Sequence, residues 1–233
     1  GLSRARNAAL EACATRYIAY LDDDAFPKPE WLSAILRAFT THDPAVVAGP
    51  IYPIWPRAQP EWLPHKYVAC LTILDHGQND RWLSGSELAF GTNMAFKADV
   101  LREAGGFNVG LGRRGARSLL SEEEVEVQLG LRQRGHRTFY AAAAGVDHMV
   151  HPNRLTRNYF RGRMAWQAVS ELLRDPPVSH SDRSLQEIRT AADKLGVREL
   201  MSKLMTSGDA QTFSAQLDFI YHLCAILLES KDL

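Results

Sequence analysis

Residues 17–24 read YIAYLDDD, an apolar run that ends in three consecutive carboxylates. The run Tyr17–Leu21 is short and rich in aromatic and aliphatic residues, which predicts a buried β-strand. Asp22, Asp23 and Asp24 then follow the carboxyl end of that strand, where open α/β sheets bind their ligands. Because adjacent carboxylates repel one another, a bound cation is one reason for a folded protein to gather them. The alternative is a solvated acidic turn in which Asp24 or a neighbour caps the next helix.

The sequence around this stretch alternates between helical and strand-like patterns. An Ala-rich segment over residues 3–13 favours a helix, with Ser3 as its candidate N-cap. Residues 27–30 (PKPE) open a second, amphipathic helix, and residues 45–48 form a short apolar strand that ends at Gly49. This strand–helix–strand order predicts an α/β layer structure.

The second half of the chain contains more helix. Residues 122–134 mix the two patterns, but a helix is favoured because Gly135 supplies a stop and acidic residues occupy the first turn. Residues 138–144 form a predicted strand. From Leu155 onward the sequence is mostly helical, with a Pro-containing break at residues 175–181.

Residues 51–86 form an irregular segment that is interrupted by prolines and contains three tryptophans, Trp55, Trp62 and Trp82. A long irregular segment of this kind is often a binding loop or a lid, and indole faces suit sugar rings and nucleobases. For each single tryptophan the simpler interpretation is that its ring packs the loop onto the core.

The composition excludes several classes of protein. The 233 residues are 45% hydrophobic and 23% charged, which is typical of a globular chain with a substantial core. Lys plus Arg and Asp plus Glu both total 27, so nucleic-acid binding through bulk positive charge is not indicated. Three distant cysteines indicate reduced thiols in a cytoplasmic setting, without a disulfide framework. No apolar run is long enough to span a bilayer, and no signal peptide is recognisable.

The order of short motifs resembles the family-2 glycosyltransferases of GT-A fold, most closely bacterial members that assemble surface polysaccharides or exopolysaccharides. The resemblance covers roughly residues 1–170. The motifs, in chain order, are Arg6-Asn7, residues 17–24, residues 29–32 (PEWL), residues 91–96 (GTNMAF), residues 105–108 (GGFN), residues 123–126 (EEVE), residues 146–148 (VDH), residues 154–156 (RLT) and residues 163–167 (RMAWQ).

The resemblance implies a GT-A-type α/β fold, a mostly parallel sheet flanked by helices. A catalytic domain is expected over residues 1–155, with a helical C-terminal extension over residues 156–233. Family members normally begin some tens of residues earlier, with a strand, a dinucleotide-type turn and an aspartate that contacts the base. The catalytic domain is therefore expected to be N-terminally incomplete, as part of a longer chain.

The resemblance also implies a divalent metal, Mn²⁺ or Mg²⁺, because residues 22–24 match the Asp-x-Asp pattern. Asp24 is the expected metal contact, and Asp22 is placed nearer to the ribose or the water shell of the metal. His148 matches a histidine that often ligates the metal. Asp23 is grouped with the residues that bind the donor.

Glu123 and Glu124 occupy the position of the family's acidic pair, usually Glu-Asp, whose second member deprotonates the acceptor. The resemblance thus implies Glu124 as the general base and Glu123 as an orienting residue. Glu122 departs from the pattern, which usually has glycine before the pair. A third carboxylate there would shift the pKa of the base or alter the local turn.

The expected donor-binding residues come from two further motifs. Arg6 and Asn7 fall in a motif near the donor nucleotide. Gly91, Thr92 and Asn93 form the floor beneath the transferred sugar.

The function implied is metal-dependent, inverting transfer of a sugar from a nucleotide-sugar, most readily a UDP-sugar, to a glycan or lipid-linked saccharide in polysaccharide biosynthesis. The expected location is cytoplasmic, with peripheral association at the inner face of the membrane as a further option, and no nucleic-acid partner. Two alternatives remain open: a non-catalytic domain that binds sugar or nucleotide, and a sugar nucleotidyltransferase. The latter explains the Asp triplet but leaves the acidic pair and His148 without a role.

Overall fold

The computed structural model describes residues 1–115, 118–175 and 208–229 of the chain. The helices are α1 (Leu2–Ala12), α2 (Trp31–His42), α3 (Ala98–Glu103), α4 (Glu123–Gln133), α5 (Arg157–Arg174) and α6 (Ala210–Glu229). The strands are β1 (Tyr17–Leu21), β2 (Ala25–Pro27), β3 (Val46–Ala48), β4 (Ile51–Ile54), β5 (Arg81–Trp82), β6 (Asn93–Lys97), β7 (Thr138–Tyr140) and β8 (Val146–Met149). Short 3₁₀ helices span His65–Leu71 and Pro152–Arg154. The predicted break at residues 175–181 lies outside the described residues from position 176 onward.

The central sheet has five strands in the order β1-β6-β3-β7-β5. β3 and β7 pair in parallel, and the other three neighbouring pairs are antiparallel. β1, β3 and β7 nevertheless run in one direction, because β6 is inserted antiparallel between β1 and β3. The predicted α/β layers are confirmed, while the described strands form a mixed sheet in place of a mostly parallel one. The sheet is mixed because β6 begins beside the end of β1, where Asn93 lies opposite Leu21, and therefore runs antiparallel to β1.

Apolar side chains of the central strands point alternately toward helices on the two faces of the sheet, as the two-residue period of a strand requires. Val46 and Ala48 pack with residues of α1, α3 and α4 on one face. Val47 packs against α2 on the other face, in a cluster that includes Phe39. Both faces of the sheet are therefore covered by helices, which is why β3 at its centre is apolar throughout.

The tryptophans of the irregular segment are used for packing. The ring of Trp62 meets Phe160 of α5 and Phe213 of α6 edge-on, at centroid distances of 5.9 and 5.3 Å. Trp55 is partly buried against the same cluster, and Trp82 packs against Phe139 of β7. Each of the three tryptophans therefore packs its loop onto the core, as the simpler interpretation predicted. Trp55 and Trp62 attach the segment to the cluster that contains α5 and α6.

A smaller sheet in the order β2-β8-β4 lies beside the acidic triplet. β2 follows the triplet directly and pairs antiparallel with β8, so that Ala25 lies opposite His148. The backbone N–H of Met149 donates to the carbonyl of Asp24 at 2.9 Å, which extends this register by one residue. The pairing therefore brings a distant histidine next to the triplet. Within the described ranges, no helix is long and apolar enough to cross a membrane.

Candidate active site

A cavity of about 490 Å³ opens at the carboxyl end of β1. Both acidic triplets of the sequence line it, together with arginines from several elements. The charged lining residues are Asp22, Asp23, Asp24, Glu122, Glu123, Glu124, Arg6, Arg113, Arg154 and Arg163. The sequence brings these groups together because the strand that ends at Leu21 and the helix that begins at Glu123 meet at one edge of the sheet.

Asp22 is positioned by the pairing of β1 with β6. The register that sets Leu21 opposite Asn93 places Thr92 opposite Asp22. The Thr92 hydroxyl donates to Oδ2 of Asp22 at 2.5 Å. One Asp22 oxygen is thereby oriented by a neighbour, while the side chain keeps partial solvent access.

Asp24 is held by residues of β8 and of the turn that follows it. Its Oδ1 lies 3.3 Å from Nε2 of His148, and its Oδ2 lies 3.2 Å from Nε2 of His151. Arg154 approaches the same Oδ2 at 3.9 Å. Asp23, between the two inward-facing aspartates, is exposed at the cavity rim.

Asp22, Asp24 and His148 form a set of groups that fits a divalent metal. One potential ligand atom from each lies within 4.8 Å of the others. Hard carboxylate oxygens with a single imidazole nitrogen suit Mg²⁺ or Mn²⁺. The His148 ring is buried, and its Nδ1 has no hydrogen-bond partner in the described part of the chain. Burial lowers the pKa of His148, although the Asp24 carboxylate opposes the shift, and the neutral imidazole is the form that ligates metals.

Arg6 joins the two acidic triplets. Its Nη1 donates to Oε1 of Glu123 at 2.7 Å, with both side chains almost fully buried. Its Nη2 donates to the carbonyl of Gly91 at 3.2 Å and lies 4.0 Å from Asp22. Gly91 must be a glycine for this approach, because a Cβ there would lie 2.5 Å from Nη2 of Arg6.

The three consecutive glutamates point in three different directions. Glu123 pairs with Arg6, whereas Glu122 turns away toward α5. Glu122 accepts hydrogen bonds from Gln167, at 2.6 Å, and from Arg174. Glu124 lines the cavity, and its Oε2 is buried without a partner in the described residues. The positive end of α4 stabilises the carboxylates of Glu123 and Glu124 in its first turn.

Glu122 adopts a backbone conformation that glycine prefers, with φ = 79°. This left-handed turn starts α4 and sets the direction in which Glu123 and Glu124 leave it. The structure therefore explains why the pattern usually has glycine at this position. Here the two bonds to α5 offset the strain of the turn. Burial raises the pKa of Glu122, while Gln167 and Arg174 oppose that shift.

Glu124 has the properties of a group that exchanges protons near neutral pH. Burial raises its pKa to about 7, and repulsion from Glu123 adds to the shift. The positive charge of Arg6 opposes both effects. Of the two causes that raise the pKa of Glu124, burial is the larger.

Two predicted donor-binding residues do not face the cavity. The amide of Asn7 is held by the backbone of Phe107, with both its oxygen and its nitrogen bonded at 2.8 Å. Asn93 is buried, donates to the carbonyls of Pro50 and Ala144, and accepts a hydrogen bond from Trp31. Because their amides are already bonded, Asn7 and Asn93 shape the site from beneath without presenting polar atoms to it. Arg6, Gly91 and Thr92 do line the cavity.

The structure also places residues at the site that had no assigned role in the sequence interpretation. His151 and Arg154 both approach Asp24, and Arg163 lines the cavity from α5. The spacing of two residues between His148 and His151 is the signal that could have indicated the second histidine. Arg154 and Arg163 belong to two motifs of the resemblance, residues 154–156 and 163–167, but their roles at the site depend on how the chain packs.

Comparison with known proteins agrees with this geometry. The family described as "Glycosyl transferase family 2" matches residues 1–105. Glucosyl-dolichyl phosphate glucuronosyltransferase of Haloferax volcanii is 27% identical over 176 residues, covering 75% of this chain and 56% of that protein. Pre-mycofactocin glycosyltransferase of Mycobacterium tuberculosis is 30% identical over 151 residues, covering 64% of this chain and 30% of that protein. The chain thus spans about half or less of the length of these relatives.

Among solved structures, mannosyltransferase PcManGT from Pyrobaculum calidifontis, in complex with GDP-Man and Mn²⁺, superposes with a TM-score of 0.57 at 14% identity. The match covers 100% of this chain and 67% of that one. Fold and site together define a GT-A-type α/β domain, which confirms the predicted fold class. Residues 1–105 match the model of glycosyltransferase family 2, which is the family that the motifs indicated.

The strain at Glu122 can be measured with a matched pair of variants. Both Glu122→Ala and Glu122→Gly lose the bonds to α5, but only alanine keeps a side chain in the left-handed conformation. We expect Glu122→Gly to be more stable than Glu122→Ala by about 1 kcal/mol, measured by urea unfolding. Equal stability, or a more stable alanine variant, would show that the turn is not strained.

The raised pKa of Glu124 predicts a specific pH dependence of stability. A carboxyl group whose pKa is higher in the folded state binds more protons there, so its contribution to stability falls as the pH rises toward about 7. Glu124→Gln should therefore gain stability relative to the parent chain between pH 5 and pH 8, by on the order of 1–2 kcal/mol. Unfolding curves at both pH values measure this difference. A constant difference would mean that Glu124 has an ordinary pKa.

Proposed function

We propose that the protein is a metal-dependent, inverting glycosyltransferase that moves a sugar from a nucleotide-sugar to a hydroxyl of a glycan or lipid-linked saccharide. The observation that carries this proposal is the arrangement of one cavity. Asp22 and Asp24 line it, with the buried ring of His148 3.3 Å from Asp24. Glu124 also lines it, with its Oε2 unpartnered among the described residues, and Arg6 contacts both Asp22 and Glu123.

Asp22, Asp24 and His148 would hold Mn²⁺ or Mg²⁺ together. Bound there, the metal would neutralise negative charge on the diphosphate of the donor. Thr92 orients Asp22 for this role, and the buried ring of His148 is fixed by the pairing of β2 with β8. His151 and Arg154 hold the second oxygen of Asp24, so the carboxylate is oriented on both sides.

Glu124 is the proposed general base. During transfer, the acceptor oxygen forms a bond to the anomeric carbon, the bond from that carbon to the diphosphate oxygen breaks, and the proton of the acceptor moves to Glu124. Attack from the face opposite the leaving group inverts the anomeric centre. A pKa of about 7 suits a base that must accept a proton near neutral pH. Glu123, which is bonded to Arg6, positions the first turn of α4 and keeps the acceptor side rigid.

The donor and acceptor classes follow from the relatives as proposals. The solved mannosyltransferase carries GDP-Man, and the haloarchaeal relative is named for a glucosyl-dolichyl phosphate acceptor. A nucleoside diphosphate sugar and a polyprenyl-linked or glycan acceptor fit the same chemistry here. The proposal further specifies a UDP-sugar as donor, a role in polysaccharide biosynthesis and a location at the cytoplasmic face of the membrane.

The direct test is a calorimetric titration of the full chain with UDP and with GDP, in the presence and absence of Mn²⁺. We expect one of the two nucleotides to bind in a Mn²⁺-dependent manner. Asp24→Asn and His148→Ala should each weaken that binding about tenfold or more, because each removes a metal ligand. Asp43→Asn is the matched control, since Asp43 is exposed at the end of α2, in a left-handed conformation that asparagine tolerates.

The outcomes separate the candidate functions. If neither nucleotide binds with metal, the chain is not a glycosyltransferase as proposed, and a sugar-binding role without catalysis takes its place. If metal-dependent binding occurs but Glu124→Gln transfers sugar at the full rate, the metal site stands and the assignment of the base is wrong. Pyrophosphate release from a nucleoside triphosphate and a sugar phosphate would instead indicate a nucleotidyltransferase.

A further inference from the structure

Arg163 on α5 lines the cavity, yet its charge faces no carboxylate within ion-pair distance among the described residues. Its Nη2 donates to the hydroxyl of Ser121 at 3.1 Å, which is a neutral partner. Its Nη1 is buried and has no acceptor in the described part of the chain. A buried guanidinium N–H without an acceptor destabilises the folded protein. Such a donor is therefore expected chiefly where a ligand supplies the missing acceptor.

Two other arginines in the same cavity differ from Arg163 in this respect. Arg6 is paired with Glu123 at 2.7 Å, and Arg154 lies 3.9 Å from Asp24. Their charges are therefore balanced by the protein itself. Arg163, by contrast, has no carboxylate partner and keeps a buried N–H donor without an acceptor among the described residues.

The position of Arg163 relates it to the acceptor side of the site. It shares the cavity wall with Glu124, whose Oε2 is also buried and unpartnered. Its charge acts on Glu124 and on the thiol of Cys70, where it opposes the burial that raises the pKa of each group. A cation and a carboxylate that share a wall without bonding to each other would be satisfied together by a ligand with a hydroxyl next to an anionic group.

We infer that Arg163 is the anion-binding residue of an acceptor subsite, and that the acceptor carries a phosphate or carboxylate close to the hydroxyl that receives the sugar. This inference rests on the proposed function and specifies its acceptor. Arg163 binds the anionic group through its planar guanidinium, while Glu124 accepts the proton of the neighbouring hydroxyl. The hydroxyl of Ser121 holds the guanidinium in place by accepting a hydrogen bond from Nη2.

The test compares matched ligands that differ in charge. Methyl β-glucoside, methyl β-glucuronide and glucose 1-phosphate are titrated calorimetrically into the full chain. The buffer contains Mn²⁺ and a saturating concentration of whichever nucleotide binds, so that the donor side is occupied. If neither nucleotide binds, the proposed function has failed, and the titrations are run in EDTA to test the anion subsite by itself.

We expect at least one anionic ligand to bind about tenfold or more tightly than the neutral glucoside, as a charge-assisted hydrogen bond implies. Arg163→Gln should reduce this ratio to about one, and Arg163→Lys should keep part of it, because lysine retains the charge but not the planar fork. Arg37→Gln, at an exposed position on α2, should keep the full ratio. The two anionic ligands show whether phosphate or carboxylate is preferred.

Three results would overturn the inference: equal affinity for neutral and anionic ligands, no binding of any of the three, or an unchanged ratio in Arg163→Gln. A residue that only tuned the charge of Glu124 would alter the affinity for all three ligands alike. If Arg163→Gln does not fold, as judged by thermal unfolding, the ratio measured with Arg163→Lys decides the matter, and a ratio equal to that of the parent chain counts against the subsite.

Discussion

The buried ion pair between Arg6 and Glu123 is the interaction on which the rest of the site depends. It joins α1 to the first turn of α4, and the same guanidinium reaches the carbonyl of Gly91 and the side chain of Asp22. Removing one partner of a buried pair leaves an unbalanced charge and typically costs about 3–5 kcal/mol. The metal end and the base end of the cavity are therefore held in one arrangement by a single side chain.

The site concentrates negative charge that the protein must accommodate before any ligand binds. The aspartate triplet does so by giving each inward-facing carboxylate a partner, Thr92 for Asp22 and His148 for Asp24. The glutamate triplet does so by sending Glu122 to α5 and Glu123 to Arg6. Among the described residues at the site, four atoms are buried without a hydrogen-bond partner: Oε2 of Glu123, Oε2 of Glu124, Nδ1 of His148 and Nη1 of Arg163. The two glutamates and Arg163 line the cavity and His148 contacts Asp24, which is the pattern expected where function is favoured over stability.

Much of this was predictable from the sequence because the fold and the acidic groups have local signals. The strand before Asp22, the helix that starts at Glu123 and the α/β layering follow from short patterns of apolar and acidic residues. The antiparallel insertion of β6 and the contact of His151 with Asp24 depend on long-range pairing, which periodicity does not encode. Asn7 and Asn93 belong to the right motifs, but their amides bond to backbone groups, and only packing could reveal that.

Glu122 is a second example of a feature that the sequence alone could not explain. The sequence marked it as a departure from the glycine of the pattern, and only the backbone angle explains both the usual glycine and its replacement here. The C-terminal helices acquire a role through this residue, because Gln167 and Arg174 of α5 hold its carboxylate. The geometry of the base therefore depends on α5, which the sequence presented as an extension.

A double-mutant cycle on Arg6 and Glu123 tests most directly whether this pair organises the site. The free energy of unfolding would be measured for Arg6→Met, Glu123→Met and the double variant. Because each single variant strands a buried charge and the double variant removes both, we predict a coupling energy of about 2 kcal/mol or more. Single effects that add within about 0.5 kcal/mol would contradict the account, since the two residues would then act independently.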